Sequence, residues 1–269
     1  MKRALVLLAL FASACTTTST TTTAGGDTGA PTSSQRLETT PRHHEWVQVR
    51  HGDRVVQTYV AYPERSTKAP AVILIHENRG LTDFERGVAD RLAENGYIAV
   101  APDMLSGMAP NGGRASDFPT QDAAREAIGK LPPDQVMADL RAVAEYAKRI
   151  PAANGKISVA GFCWGGSRTW MVANDRQDLS AAFPFYGTGP QTADGVANIT
   201  APVHGFYGGD DARVNATIPK SEELMRAAGK RFEPMIYDGA GHAYMRSGQM
   251  PDASVANRRA HDESWTRWL

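Results

Sequence analysis

From about Leu37 onward the apolar positions follow two rhythms. "HEWVQVR" and "RVVQTYVAYP" are β-rich runs flanking His51-Gly52-Asp53, a pattern that predicts a hairpin. "APAVILIHE" is apolar without a break and rich in β-branched residues, which predicts a strand buried on both faces, as in a parallel sheet. The rhythm then turns helical. Thr82 is placed to cap a helix whose apolar stripe is Phe84, Val88, Ala89 and Leu92, and Asn95-Gly96 ends it. "YIAVAPDM" is the next buried strand, and residues 105–120 read as loop. Gln121 to Lys130 and Asp134 to Arg149 read as helices; in the second, Met137, Leu140, Val143, Ala144 and Ala147 share one face. "GKISVAG" predicts a third buried strand, followed by a helix from about Trp164 to Asn174. Apolar runs at "LSAAFPFYG", "APVHGFYGGDD" and "RFEPMIYDGAGH" alternate with helices near Pro219 to Gly229 and Val255 to Trp268. Strands alternating with helices predict an α/β fold, a mostly parallel sheet covered on both faces.

The N-terminal stretch does not join this alternation. Met1-Lys2-Arg3 precedes an apolar run from Ala4 to Ala12 and the small residues Ser13-Ala14, the layout of a secretory signal over residues 1–14. The run is shorter than the roughly 20 residues a spanning helix needs. "FASAC" resembles a bacterial lipoprotein box, which implies that Cys15 becomes the lipidated first residue; cleavage without a lipid is the alternative. Thr16 after Cys15 is compatible with outer-membrane sorting. Residues 16–40 are Thr-, Ser- and Gly-rich without apolar periodicity and read as a disordered tether. A single domain over 41–269 is then expected, exported to the periplasm or cell envelope, touching a membrane only through the anchor and otherwise monomeric. Acidic and basic groups balance at 29 each, which argues against a nucleic-acid partner.

With Cys15 assigned to the leader, Cys163 is left as a free thiol. It sits in Gly161-Phe162-Cys163-Trp164-Gly165, between a predicted strand and a predicted helix. That is the setting of a nucleophile elbow: the glycines permit a turn too tight for side chains, and the central residue is exposed at the sheet's carboxyl edge. The following helix N-terminus is expected to make the thiol easier to ionise. Packing of a small buried cysteine is the competing explanation. Two later strand ends favour the elbow. "YGGDD" offers an acid, Asp210 or Asp211, and "DGAGH" presents His242, so nucleophile, acid and histidine follow in the order expected for an elbow enzyme.

Residues 45–269 resemble the dienelactone hydrolase family, the cysteine-nucleophile branch of the α/β-hydrolases. The resemblance rests on "HENRG", "APDML", "DLRAVAEYAKRIPAANGKISVAGFCWGG", "YGGDDARV" and "DGAGHAYMR". It implies an α/β-hydrolase fold and hydrolysis of a small ester or lactone through Cys163, Asp211 and His242, with a thioester intermediate. It places the acid on Asp211, ahead of Val214, and leaves Asp210 as a loop or capping residue. It also implies that Glu77 contacts the nucleophile and controls its ionisation; an ordinary strand-end ion pair is the alternative for Glu77. Oxyanion donors would be the backbone N–H groups of Asn78 and Trp164. Arg246, Arg125 and Arg79 are candidates for holding a substrate carboxylate, and Phe118, Tyr186, Tyr207 and Tyr244 for walling the pocket. No cofactor is implied. No metal is expected either: His76-Glu77 is followed by Gly80 where a zinc helix needs histidine. A non-catalytic ligand-binding protein, or a peptidase or acyltransferase on the same fold, are the other readings.

Overall fold

The computed structural model describes Met1 and residues 31–269. The expected signal, Cys15 and most of the expected tether lie outside the described residues. The strands are β1 (His44–His51), β2 (Arg54–Ala61), β3 (Ala69–Ile75), β4 (Ile98–Pro102), β5 (Ala153–Phe162), β6 (Leu179–Phe185), β7 (Val203–Gly208) and β8 (Phe232–Tyr237). They form one sheet in the order β1-β2-β4-β3-β5-β6-β7-β8. β1–β2 and β2–β4 pair antiparallel and all later neighbours pair parallel. The β1–β2 register joins His51 to Arg54, leaving a two-residue loop in which Gly52 takes a positive φ of 52°.

β3 shows why an unbroken apolar run was needed. Ile73 and Ile75 face one core layer and Val72 and Leu74 the other. The first layer is covered by α3 (Gln121–Gly129), α4 (Pro133–Arg149) and α5 (Trp164–Asp175). The second is covered by α2 (Asp83–Glu94) and α9 (Val255–Trp268), with Trp265 and Trp268 packed among Phe162 and Phe185. Three further helices follow the later strands: α6 (Ala212–Asn215), α7 (Ile218–Ala227) and α8 (Tyr244–Ser247). Because the parallel strands run the same way, the carboxyl ends of β3, β5, β7 and β8 open onto one edge.

One expectation is corrected. The tether expected over residues 16–40 stops short of residue 40: Ser33–Thr39 form a helix, α1, laid against α2. Thr32 caps it in a box with Gln35. Buried Ser33 lies where a Cβ on Gly87 would collide with it, so Gly87 is what lets the two helices meet. Arg36 pairs with Glu94 at 2.8 Å and Arg42 with buried Asp90 at 2.7 Å. Polar composition hid this helix because capping and ion pairs on a neighbouring helix, more than an apolar stripe, hold it there.

Candidate active site

β5 ends at Phe162, and the chain turns through Cys163 directly into α5. Cys163 has φ 54° and ψ −110°, which a residue with a side chain rarely adopts. The surroundings impose it. The Cys163 N–H donates to the Phe185 carbonyl at 3.0 Å, and its own carbonyl accepts from the Ser167 N–H at 3.2 Å. A Cβ on Gly161 would collide with the Gly165 carbonyl, and one on Gly165 with the Ile75 carbonyl. The glycines therefore allow three backbone segments to touch at the bend.

His242 follows the loop after β8. That loop is pinned where the Gly241 N–H donates to Asn257 Oδ1 at 2.9 Å. Asp211 follows β7 and begins α6, and one of its carboxylate oxygens accepts from the Val214 N–H. The other lies 2.5 Å from His242 Nδ1, while His242 Nε2 lies 3.0 Å from Cys163 Sγ. Asp211 is the acid on the histidine. Asp210 is exposed and uses its backbone N–H to hold the Ala240 carbonyl. Three residues spread over 80 positions of sequence thus form one hydrogen-bonded line.

The thiol differs from expectation in its ionisation. The helix N-terminus was expected to favour the thiolate, and the Trp164 N–H does act in that direction. Burial and, next, the negative charge of Glu77 outweigh it and push Cys163 up to about 11. Glu77 is 4 % exposed. It accepts from Arg246 Nε at 2.9 Å and from the Tyr186 hydroxyl at 3.2 Å. Tyr186, itself at φ 38° and fully buried, sets its ring edge-on to His242. Arg213, exposed on α6, contributes a positive charge that favours the thiolate; sequence reasoning passed over it as part of a motif.

His76 is buried and held neutral, since burial lowers its pKa. Its Nε2 accepts from the Met104 N–H at 3.1 Å, so Nδ1 carries the proton and donates to the Glu77 carbonyl at 2.7 Å. Its ring stacks on Trp164, linking the β3 loop to the elbow. The backbone N–H of Asn78 makes no hydrogen bond among the described residues, which leaves it free as a donor.

The three arginines separate. Arg246 lies on α8, bonded to Glu77. Arg79 lines the same cavity as Arg246 and has no ion pair among the described residues. Arg125 is not brought to the site: Ala124, Ala127 and Ile128 turn α3 inward, which swings Arg125 out to solvent beside Asp122. That cavity, of about 1200 Å³, is walled in part by Glu77, Arg79, Arg114, Phe118 and Arg246. Cys163 and His242 do not line it; it meets the site at Glu77 and Arg246. Tyr186 is thus at the site, Phe118 lines the adjoining cavity, and Tyr207 and Tyr244 are core residues. Tyr207 packs on Val214 and Ile218, and the Tyr244 hydroxyl bonds Ser264. Among the described residues no cluster of His, Cys, Asp and Glu is arranged to hold a metal.

A parallel sheet with a strained residue at the β5–α5 bend, an acid after β7 and a histidine after β8 defines an α/β-hydrolase. The chain belongs to the dienelactone hydrolase family, whose sequence profile, described as "Dienelactone hydrolase family", matches residues 56–269. An Escherichia coli K12 protein named "Putative carboxymethylenebutenolidase" is 33% identical over 78% of this chain and 79% of its own length. The Pseudomonas putida protein named "Carboxymethylenebutenolidase" is 31% identical over 72% of this chain and 84% of its own. A crystal structure of a "Putative Dienelactone Hydrolase" from Klebsiella pneumoniae superposes with a TM-score of 0.73 at 27% identity, covering 86% of this chain and 98% of the other.

Proposed function

We propose that this hydrolase of esters or lactones works through a Cys163–His242–Asp211 triad and a thioester, on a small ester or lactone that carries a carboxylate. The supporting observation is the line of contacts from Asp211 through His242 to Sγ on a strained elbow. His242 Nε2 takes the thiol proton as Sγ attacks the ester carbonyl. The carbonyl oxygen becomes an oxyanion, met by the N–H groups of Trp164 and Asn78. The C–O bond breaks, His242 returns the proton to the leaving alkoxide, and the acyl group stays on sulfur. Water, deprotonated by the same imidazole, then cleaves the thioester and restores the thiol. Asp211 accepts the Nδ1–H throughout and stabilises the imidazolium.

Glu77 controls the resting state in this reading. Its charge adds to burial in keeping the thiol protonated, and Arg246 keeps Glu77 in place. A substrate carboxylate competing for the Arg246 fork loosens that pair. Reaction with an activated ester such as p-nitrophenyl acetate, quenched in acid, tests the chemistry: the Cys163 peptide should gain one acetyl mass. An adduct on another residue, or none in a protein that turns the ester over, would refute the thioester.

The clamp has its own test. Arg246→Ala should lower kcat/KM for carboxylated esters by roughly 10- to 100-fold, the scale of one charge-assisted contact. Uncharged esters of the same length should lose far less, and equal losses on both would remove Arg246 from substrate recognition. We also propose that Cys15 is lipidated and tethers the enzyme to an envelope membrane, on the strength of "FASAC" alone. Radiolabelled palmitate should enter the wild-type chain in a bacterial host and not Cys15→Ser; equal labelling would reject the anchor.

A further inference from the structure

Behind the active-site loop stands a carboxyl group that the reaction above does not use. Glu85, in the first turn of α2, is 1 % exposed. One oxygen accepts the backbone N–H of Glu77 at 2.9 Å. The other accepts the Thr82 N–H at 2.9 Å and the Thr82 hydroxyl at 2.5 Å. A capping box accounts for the bond to the Thr82 N–H. The bond to Glu77 reaches eight residues back, to the far end of the loop. One side chain therefore closes the 77–82 loop, which carries the free Asn78 N–H and the Glu77 carboxylate.

We propose that Glu85 is a positioning residue of the active site: by tying both ends of the 77–82 loop, it holds the Asn78 N–H on the oxyanion and the Glu77 carboxylate against Arg246. It touches neither substrate nor thiol. The proposal rests on the oxyanion assignment made above. Two of the three partners, the Glu77 and Thr82 N–H groups, can only donate, and the ionised carboxylate accepts from both and from the Thr82 hydroxyl; a protonated one is a weaker, neutral acceptor and has only the reversed Thr82 hydroxyl to take its O–H. Protonation of Glu85 should loosen the loop.

The surrounding charges bring that protonation into a working pH range. Glu77 comes from the end of β3 and Arg246 from α8. Asp83 and Arg86 pair with each other on α2, and Asp103 and Arg114 stand across the cavity. Burial first, and the Glu77 charge second, push Glu85 up to about 7.

Steady-state kinetics on p-nitrophenyl acetate, from about pH 5 to 9, test the role in wild type, Glu85→Gln and Thr82→Val. An oxyanion donor acts in the transition state, so Glu85→Gln should lose at least about tenfold in kcat with KM within about threefold. Its acid limb should also lose one proton of steepness, because Glu85 no longer titrates. Thr82→Val keeps the carboxyl group and removes the hydroxyl donor, which disfavours the ionised form. Its acid limb should move to higher pH. An unchanged kcat in Glu85→Gln, or a lost kcat with an unaltered acid limb, overturns the proposal. If Glu85→Gln does not fold, Thr82→Val decides: a limb that superimposes on wild type overturns it. Cys163→Ala in parallel separates the two readings, since turnover retained there rejects the nucleophile itself, and turnover lost there leaves Glu85 to be judged alone.

Discussion

Replacing Cys163 with alanine is expected to reduce kcat for p-nitrophenyl acetate by roughly 10⁴-fold or more, and to remove the acetyl adduct with it. The loss should be that large because no other side chain can inherit the step. His242 Nε2 faces Sγ and nothing else among the described residues. Asp211 is committed to His242 Nδ1 and to the Val214 N–H. What survives is binding and the oxyanion donors, which act on a carbonyl no nucleophile reaches. The fold should survive as well, since alanine removes only one sulfur atom from a partly buried position and faces the same positive φ as the cysteine does. A thermal midpoint close to wild type, with turnover gone, is the expected pair of results. Turnover within about tenfold of wild type in a folded variant would move the nucleophile elsewhere.

The second large effect concerns Glu77. Glu77→Gln should make the thiol more reactive while leaving its geometry alone. With Cys163 near 11, only about one thiol in a thousand is ionised at pH 8. Removing the Glu77 charge lowers the thiol pKa, and each unit of lowering speeds alkylation by iodoacetamide about tenfold at that pH. Arg246, deprived of its acid, adds to the effect. Burial is the larger cause and is untouched, so the inflection should fall but stay above that of an ordinary exposed thiol. The same change should hasten inactivation by hydrogen peroxide, because the thiolate is the form that oxidises. An alkylation profile identical to wild type would show that Glu77 does not govern the thiol's charge. The result matters for the proposed envelope location, where an idle thiolate would be at risk of oxidation.

Much of this protein was legible along the chain. The unbroken, β-branched run at "AVILI" pointed to a strand covered on both faces, and the glycines around Cys163 marked a bend too tight for side chains. Cys163, Asp211 and His242 could be picked out as candidates because each lies at a strand end, where a short glycine-rich signal meets an apolar run. The helix at Ser33–Thr39 was not legible. It is held by Arg36 and Ser33 meeting α2, and by Arg42 anchoring the chain just beyond it, contacts the local sequence does not encode. Arg125 shows the opposite failure: a plausible residue at a plausible spacing that the rotation of α3 turns to solvent.

Local order therefore determined the strands, the bend and the prominence of Cys163 and His242, because periodicity and turn chemistry act between neighbours; the choice of Asp211 over Asp210 rested on the family resemblance and on its contact with His242. Only the folded chain decided the state of the sulfur. Its charge is set by burial and by a glutamate 86 positions away, and that glutamate is held by an arginine from α8 and a tyrosine from the end of β6. Electrostatic energy depends on distance through space and on exclusion of water, and neither quantity is written in the order of residues.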